Sequence, residues 1–558
     1  MEEFDVVVVG AGAAGMTAAL TAARSGLSTI VLEKAPVFGG SAARSGAGIW
    51  VPNNDVLLAA GVPDTFTKAD TYMAAVVGPE VPVAKRQAFL RAGPPAIAFI
   101  QRWSPLRFRW MEGYSDYYPE LPGGMPNGRS IEPVALDANI LGAEYANLNP
   151  SYLPTPPSTV VYDIDYRWLA LIARHPRGVA VATEIVWRYL QLAAQGQKPI
   201  TMGQALAGGL RAGLLAADVP VRLNTPLVDL HVENGRVAGV IALVGGTETL
   251  IRARRGVMIG SGGFEHNERM RKQFQDEPIG TAWTVGAASN TGDGIEAGER
   301  AGAGLALMDD AWWGPMIPLP EGPYFCLSER TLPGNIFVDG TGRRFVNEAA
   351  PYSDVVHTMY AGDHFPAWMI TDQEYRNRYL FKETAPLLPY PQAWYDSGAL
   401  VKDWTITGLA GKIGVPAAAL RATLDRFNGQ ARAGRDTDFH RGDSAYDAYF
   451  ADPTNRPSPC LAPVGLPPFY AFKIVPGDLG TKGGLTTDVQ SRVLRPDGSA
   501  IPGLYAAGNA SAAVMGHSYA GAGSTLGPAM TFGYLAGKDL AGKDLAGKDL
   551  AGKDLAAS

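Results

Sequence analysis

The chain has 558 residues, 46% of them apolar and 18% charged, with a formal net charge of -6. That length can bury a large core in more than one domain, and the acidic balance excludes electrostatic capture of nucleic acid, which needs basic faces. The two cysteines, Cys326 and Cys460, exclude a disulfide framework and fit a reducing, cytoplasmic compartment, and the seven histidines lack metal-ligand spacing.

Phe4–Val9 reads as a buried strand, rich in valine and unalternated. Gly12–Ser25 reads as a helix and Thr29–Glu33 as the second strand of a βαβ unit. The uncharged stretch from Val6 to Ala23 is long enough to span a bilayer. Acidic Glu2, Glu3 and Asp5 precede it, however, and glycines at motif spacing break it, so strand, turn and helix is the reading and a soluble protein is expected. Gly10-Ala11-Gly12-Ala13-Ala14-Gly15 fits G-x-G-x-x-G after a strand and opening a helix. The first glycine permits the tight turn, the second lets backbone reach a pyrophosphate, and the third packs helix on strand. Glu33, at the end of the second strand, can bind ribose hydroxyls; strand, helix and acid together favour a dinucleotide over an empty tight turn.

Arg167–Ala194 reads as partly helical, interrupted near Pro176 and Gly178, with Trp168, Trp187 and Tyr189 among basic residues. Ordinary packing explains it better than peripheral contact with a membrane surface. From Val221 to Gly260 the apolar runs shorten, Asn234-Gly235 and Gly245-Gly246 mark hairpin turns, and a strand returns at Gly256–Gly260. Trp312, Trp313 and a run of prolines open a segment with little dinucleotide-type glycine patterning, so residues 307–475 are assigned to a second domain. Residues 1–306 and 476–535 then form a discontinuous first domain. The tail 536–558 repeats Ala-Gly-Lys-Asp-Leu four times; a period of five cannot hold one helical face, so a fraying extension without chemistry is expected.

Gly39-Gly40-Ser41, Ser45-Gly46-Ala47-Gly48, Asn290-Thr291-Gly292-Asp293-Gly294 and Gly503-Leu504-Tyr505-Ala506-Ala507-Gly508-Asn509 follow the fingerprint in order. With it they resemble the FAD-dependent reductases and dehydrogenases of the fumarate-reductase type. The resemblance implies an α/β fold, a Rossmann-like FAD-binding domain with an inserted α+β catalytic domain. It makes Asn290–Gly294 a flavin-side loop and Gly503–Asn509 the carboxy-terminal FAD motif. FAD is then expected on Gly10, Gly12, Ala14, Gly15, Glu33, Lys34, Gly40, Ser41, Ser45, Gly46, Ala47, Val228, Asp293, Gly508, Asn509, Thr525 and Leu526. Ser524–Leu526 precede a last helix, Gly527–Leu535, whose amino terminus suits the flavin's carbonyl edge. No histidine lies in Gly40–Gly46, so the FAD is expected to be noncovalent.

The histidine–arginine pair that fumarate reductases place around a dicarboxylate has no match. Instead, Tyr114-Ser115-Asp116-Tyr117-Tyr118-Pro119, Asp310-Ala311-Trp312-Trp313-Gly314-Pro315, Phe345-Val346-Asn347-Glu348 with Pro351-Tyr352, His440-Arg441-Gly442 and Gly477–Gly484 resemble the 3-ketosteroid Δ1-dehydrogenases, nearly end to end up to Leu535. That resemblance implies a proton lost from carbon 2 of a 3-ketosteroid and a hydride passed from carbon 1 to flavin N5. Tyr352 is then the base, Tyr117 its supporting hydroxyl, and Tyr519 with the Gly523 N–H the holders of the ketone. A free tyrosine ionises near pH ~10, so the base needs such support. Tyr114 and Tyr118 are expected to line the pocket or pack, His440 and Arg441 to form a structural turn, and Trp312 and Trp313 to floor a steroid cleft or fill core. The electron acceptor, quinone-like or oxygen, stays open. Relatives carry Tyr-Pro-Gly-Pro-Gly where this chain has Tyr519-Ala520-Gly521-Ala522-Gly523. That departure leaves a Δ4-(5α)-desaturase or an enoate reductase as alternatives in the same class. A non-catalytic binding protein on a flavoprotein fold is the third reading, and it would require the phosphate glycines to be lost.

Overall fold

The computed structural model describes residues 2–153, 156 and 158–542. Strand Glu2–Val9, helix Ala13–Arg24 and strand Thr29–Leu32 form the first βαβ unit, with both strands parallel. Strand Glu2–Val9 also pairs in parallel with Thr247–Ile259, which pairs with Ala500–Ala506, and Thr29–Leu32 pairs with Val221–Arg222. The sheet has eight strands. Its antiparallel parts are the edge strand Arg492–Leu494 on Ala500–Ala506 and the meander Leu227–Glu233, Arg236–Val244 and Thr247–Ile259, turning at Asn234-Gly235 and Gly245-Gly246 as the turn chemistry demands.

A second sheet of six strands is antiparallel throughout and built from residues 311–481. Its long strand Phe469–Thr481 runs through the expected boundary at 475/476: Pro476, Gly477 and Asp478 pair with Pro315, Gly314 and Trp313. The glycine enrichment there serves strand packing. A side chain on Gly477 would meet Met316 Cγ at 2.1 Å and the Trp283 carbonyl oxygen at 2.3 Å. Helix Tyr352–Ala361 packs on this sheet, burying Val355, Val356 and Met359.

The region around Pro176 resolves into helices Tyr166–Leu169 and Pro176–Ala194, the second capped by the His175 ring. The last helix, Leu526–Leu540, outruns its expected end at Leu535. Its first Ala-Gly-Lys-Asp-Leu repeat is not frayed: Ala536 and Leu540 are buried, and Gly537 lets the helix close on Ala18 and Thr21. The repeats from residue 543 onward lie outside the described residues. Among the described residues no helix is long and apolar enough to cross a membrane.

Candidate functional site

One cavity of about 1160 Å³ joins the dinucleotide loop to the tyrosines. At the loop, Gly10 has φ +101°, and a side chain there would meet the Gly260 carbonyl oxygen at 2.4 Å. On Gly15 it would meet the Gly10 carbonyl oxygen at 2.0 Å. Gly15 therefore stands behind the loop, welding helix to strand, and does not line the cavity. At Gly12 the nearest atom stands 4.0 Å away, which leaves open space over the amino terminus of helix Ala13–Arg24. Backbone N–H groups facing such a space fit a pyrophosphate. Buried Glu33 accepts the Ala11 and Ala35 N–H groups, each at 2.8 Å, while burial pushes its carboxyl above the usual range. Gly40, Ser41, Ser45, Gly46, Ala14, Gly508, Asn509, Thr525 and Leu526 line the same cavity. Ala47 joins them in the left-handed region, φ 57°. The donors and the open glycine face fit FAD.

One expected position, Val228, lies off the cavity. Val228 faces outward, 39% exposed, because strand alternation turns Leu227 inward; Leu227 and Thr225 line the cavity in its place. The loop Asn290–Gly294 is not uniformly flavin-side. Asn290 donates to Ser41 Oγ at 3.0 Å and to Glu265 at 2.7 Å. Asp293, past the turn at Gly292, lines the cavity as well and pairs with Lys34 Nζ at 2.6 Å, next to Glu33.

Tyr117, Tyr352 and Tyr519 meet at the other end, each ring centroid 5.1–5.3 Å from the other two. All three are buried. Tyr352 opens helix Tyr352–Ala361 directly after Pro351. The Tyr117 hydroxyl donates to the Tyr352 oxygen at 2.9 Å. Burial pushes both phenols well above their ordinary range, while the Tyr117 hydrogen bond draws Tyr352 back. The Tyr519 phenol is likewise raised by burial and lowered by Tyr352, Thr525 and the Gly523 N–H. The Tyr519 hydroxyl and the Gly523 N–H are thus neighbours at this end of the cavity. Gly523 has φ +93°, and its side of the chain closes against the Gly48 carbonyl.

Phe325 stands edge-on to Tyr352 at 5.0 Å. Tyr114 lines the cavity, and Tyr118 donates to Asp354 at 2.8 Å. Trp312 and Trp313 do not line it. Both are core: Trp312 donates to Asn509 at 3.0 Å and buttresses Tyr519 edge-on. Arg441 is structural, its guanidinium collecting Glu348 and the carbonyls of Arg330, Thr331, Leu332 and Asn335. Sequence reasoning missed Asp163, Tyr152, Arg44 and Phe325 in the lining. Asp163 sits on Gly46, and burial with the Asp165 charge raises its carboxyl to about 7. No motif marks these four residues.

A glycine-cradled dinucleotide end joined to a buried phenolic end defines a flavoprotein. A family model described as FAD binding domain matches residues 5–526, and the protein is an FAD-dependent oxidoreductase. The chain is 54% identical to the 3-oxosteroid 1-dehydrogenase of Mycobacterium tuberculosis, over 96% of this chain and 98% of that one. It is similar to the solved 3-ketosteroid Δ1-dehydrogenase of Sterolibacterium denitrificans, at 39% identity and TM-score 0.92, covering 97% and 100% of the two chains. The chain belongs to the family of the 3-oxosteroid 1-dehydrogenases. The 3-ketosteroid Δ4-(5α)-dehydrogenase of Rhodococcus jostii shares the fold alone, at 23% identity and TM-score 0.68 over 97% of each chain.

Proposed function

We propose that this enzyme desaturates the 1,2 bond of 3-ketosteroids. The observation that carries the reading is the Tyr117–Tyr352 hydrogen bond of 2.9 Å with Tyr519 packed on both rings and Gly523 beside Tyr519. The ketone oxygen sits between the Tyr519 hydroxyl and the Gly523 N–H, which stabilise it as it becomes enolate-like. Tyr352 takes the proton from carbon 2. Tyr117 donates to the Tyr352 oxygen and so favours its anionic form over the neutral one that burial imposes. FAD, when bound, supplies the acceptor for the hydride from carbon 1. Gly10, Gly12, Glu33, Ser41, Ala47 and Asn509, which line the dinucleotide end of the cavity, would hold it. The Sterolibacterium relative was solved with 1,4-androstadiene-3,17-dione, a steroid already carrying the 1,2 double bond. The two buried, free thiols suit a reducing cytoplasm, and a quinone-like molecule or oxygen is the proposed electron acceptor.

Anaerobic mixing with a ring-saturated 3-ketosteroid should bleach the flavin absorbance and yield the 1,2-unsaturated ketone. Tyr352→Phe should slow bleaching by at least ~100-fold with FAD retained. Bleaching at the wild-type rate would overturn the base assignment, and a 4,5-unsaturated product would favour the Δ4-(5α) reading.

A further inference from the structure

The proposed reaction leaves three polar side chains of the cavity wall unused: Arg44, Tyr152 and Asp163. They meet around one turn. Arg44 ends helix Gly40–Arg44, and its carbonyl oxygen accepts the Tyr152 N–H at 3.3 Å. Asp163 stands on Gly46, two residues further on, its Oδ1 2.9 Å from where a side chain on that glycine would begin. Gly48 follows by another two, and a side chain begun there would lie 3.6 Å from the Gly523 nitrogen. The turn therefore belongs to the phenolic end of the cavity, beside the proposed ketone donor.

None of the three side chains is satisfied by another. Arg44 donates from Nε to the Val285 carbonyl oxygen at 3.2 Å, and among the described residues it meets no carboxylate. The Tyr152 hydroxyl and the Asp163 carboxyl make no hydrogen bond among the described residues. Other polar groups of the wall are answered within the protein: Lys34 by Asp293, Glu321 by Lys382, and Tyr324 by Glu329. Water can serve the three while the cavity is wet. A rigid apolar skeleton that fills the cavity expels that water, and each bare group then costs free energy unless the ligand brings it a partner.

We propose that Arg44, Tyr152 and Asp163 form a subsite for a second oxygen, ketone or hydroxyl, carried by the steroid at the end remote from ring A. Arg44 and Tyr152 donate to that oxygen. Asp163, raised to about 7 by burial with the Asp165 charge, donates to a ketone as the neutral acid and accepts from a hydroxyl. The inference rests on the 3-ketosteroid reading and adds to it a preference for substrates oxygenated at both ends.

The test is equilibrium binding of two products to the oxidised holoenzyme at pH 6, read from the flavin spectrum. One is androsta-1,4-diene-3,17-dione; the other, androsta-1,4-dien-3-one, lacks the 17-oxygen. The wild type should bind the dione at least ~10-fold more tightly. Arg44→Met, Tyr152→Phe and Asp163→Leu should each shrink that ratio by ~3-fold or more, Arg44→Met the most because its hydrogen bond is charge-assisted. Tyr152→Phe removes only a hydroxyl without an internal partner, so it decides the matter where another variant does not fold. Equal binding of the two steroids by the wild type overturns the proposal. So does an unchanged ratio in folded Tyr152→Phe and Asp163→Leu, or a loss of FAD in place of a change in ratio, which would assign the residues to the cofactor. A holoenzyme that binds neither steroid and is not bleached by a 3-ketosteroid removes the reading beneath the inference. One that is bleached but shows no preference removes the inference alone.

Discussion

Single residues at the site are fixed by backbone as much as by side-chain chemistry. Gly523 is the clearest case. It is held at φ +93°, the proposed ketone donor is its N–H, and a methyl group there would stand 2.1 Å from the Gly48 carbonyl oxygen. Gly523→Ala must therefore displace either the donor or the strand at Ile49–Trp50. Loss of one such donor costs roughly 100-fold or more in rate. We expect a kcat/KM at least ~100-fold lower, measured on a 3-ketosteroid, with the flavin spectrum preserved. Within Tyr519-Ala520-Gly521-Ala522-Gly523 the Ala520 carbonyl accepts from Tyr72 and from the Tyr117 N–H, and the Ala522 carbonyl accepts from Ser130.

Among the elements, helix Leu526–Leu540 carries more than its sequence advertised. Its amino terminus lines the cofactor cavity through Thr525 and Leu526, and its body lies against helix Ala13–Arg24, the helix of the phosphate loop. The contact is close because Gly533 faces the Ala14 carbonyl oxygen, where a side chain would come within 2.5 Å. Gly533→Val should push the two helices apart, distort the Gly10–Gly15 loop and weaken FAD binding. Flavin content after gel filtration, together with Tm, measures this. Full flavin occupancy in a variant of unchanged Tm would show that the close packing is dispensable.

Across the whole molecule, burying acids around one large cavity sets the pH response. Burial first, then the Asp478 charge, raises Glu265 to about 7, and burial with Asp165 does the same to Asp163. Ordinary carboxyls in the unfolded chain ionise several pH units lower, near ~4. The folded state therefore holds more protons between about pH 4 and 7, and its stability falls as pH rises through that window. Asp310 acts differently. Burial would raise it, but Lys482 and His357 outweigh that and hold it at about 2, so its contribution is constant above ~4 and is lost only as pH falls toward 2. Tm should thus be higher at pH 5.5 than at pH 8, and Asp163→Asn with Glu265→Gln should flatten the slope. Equal slopes in wild type and double variant, followed by calorimetry, would exclude these two acids as its source.

By itself the sequence determined the dinucleotide loop, its strand–helix–strand frame, the hairpin turns and Glu33, because each depends on backbone conformation and spacing within a few dozen residues. Motif resemblance extended that to the tyrosines and Gly523. Only the tertiary structure decided what depends on register and side-chain direction between distant segments. It brought Tyr117 and Tyr352, 235 positions apart, into one hydrogen bond. It turned Val228 outward, set Asp293 beside Lys34, drew the first tail repeat into the core, and carried strand Phe469–Thr481 across the expected domain boundary. Asp163 on Gly46 belongs to the same group: an acid in a single short turn looks like any solvated charge until the fold removes the water around it.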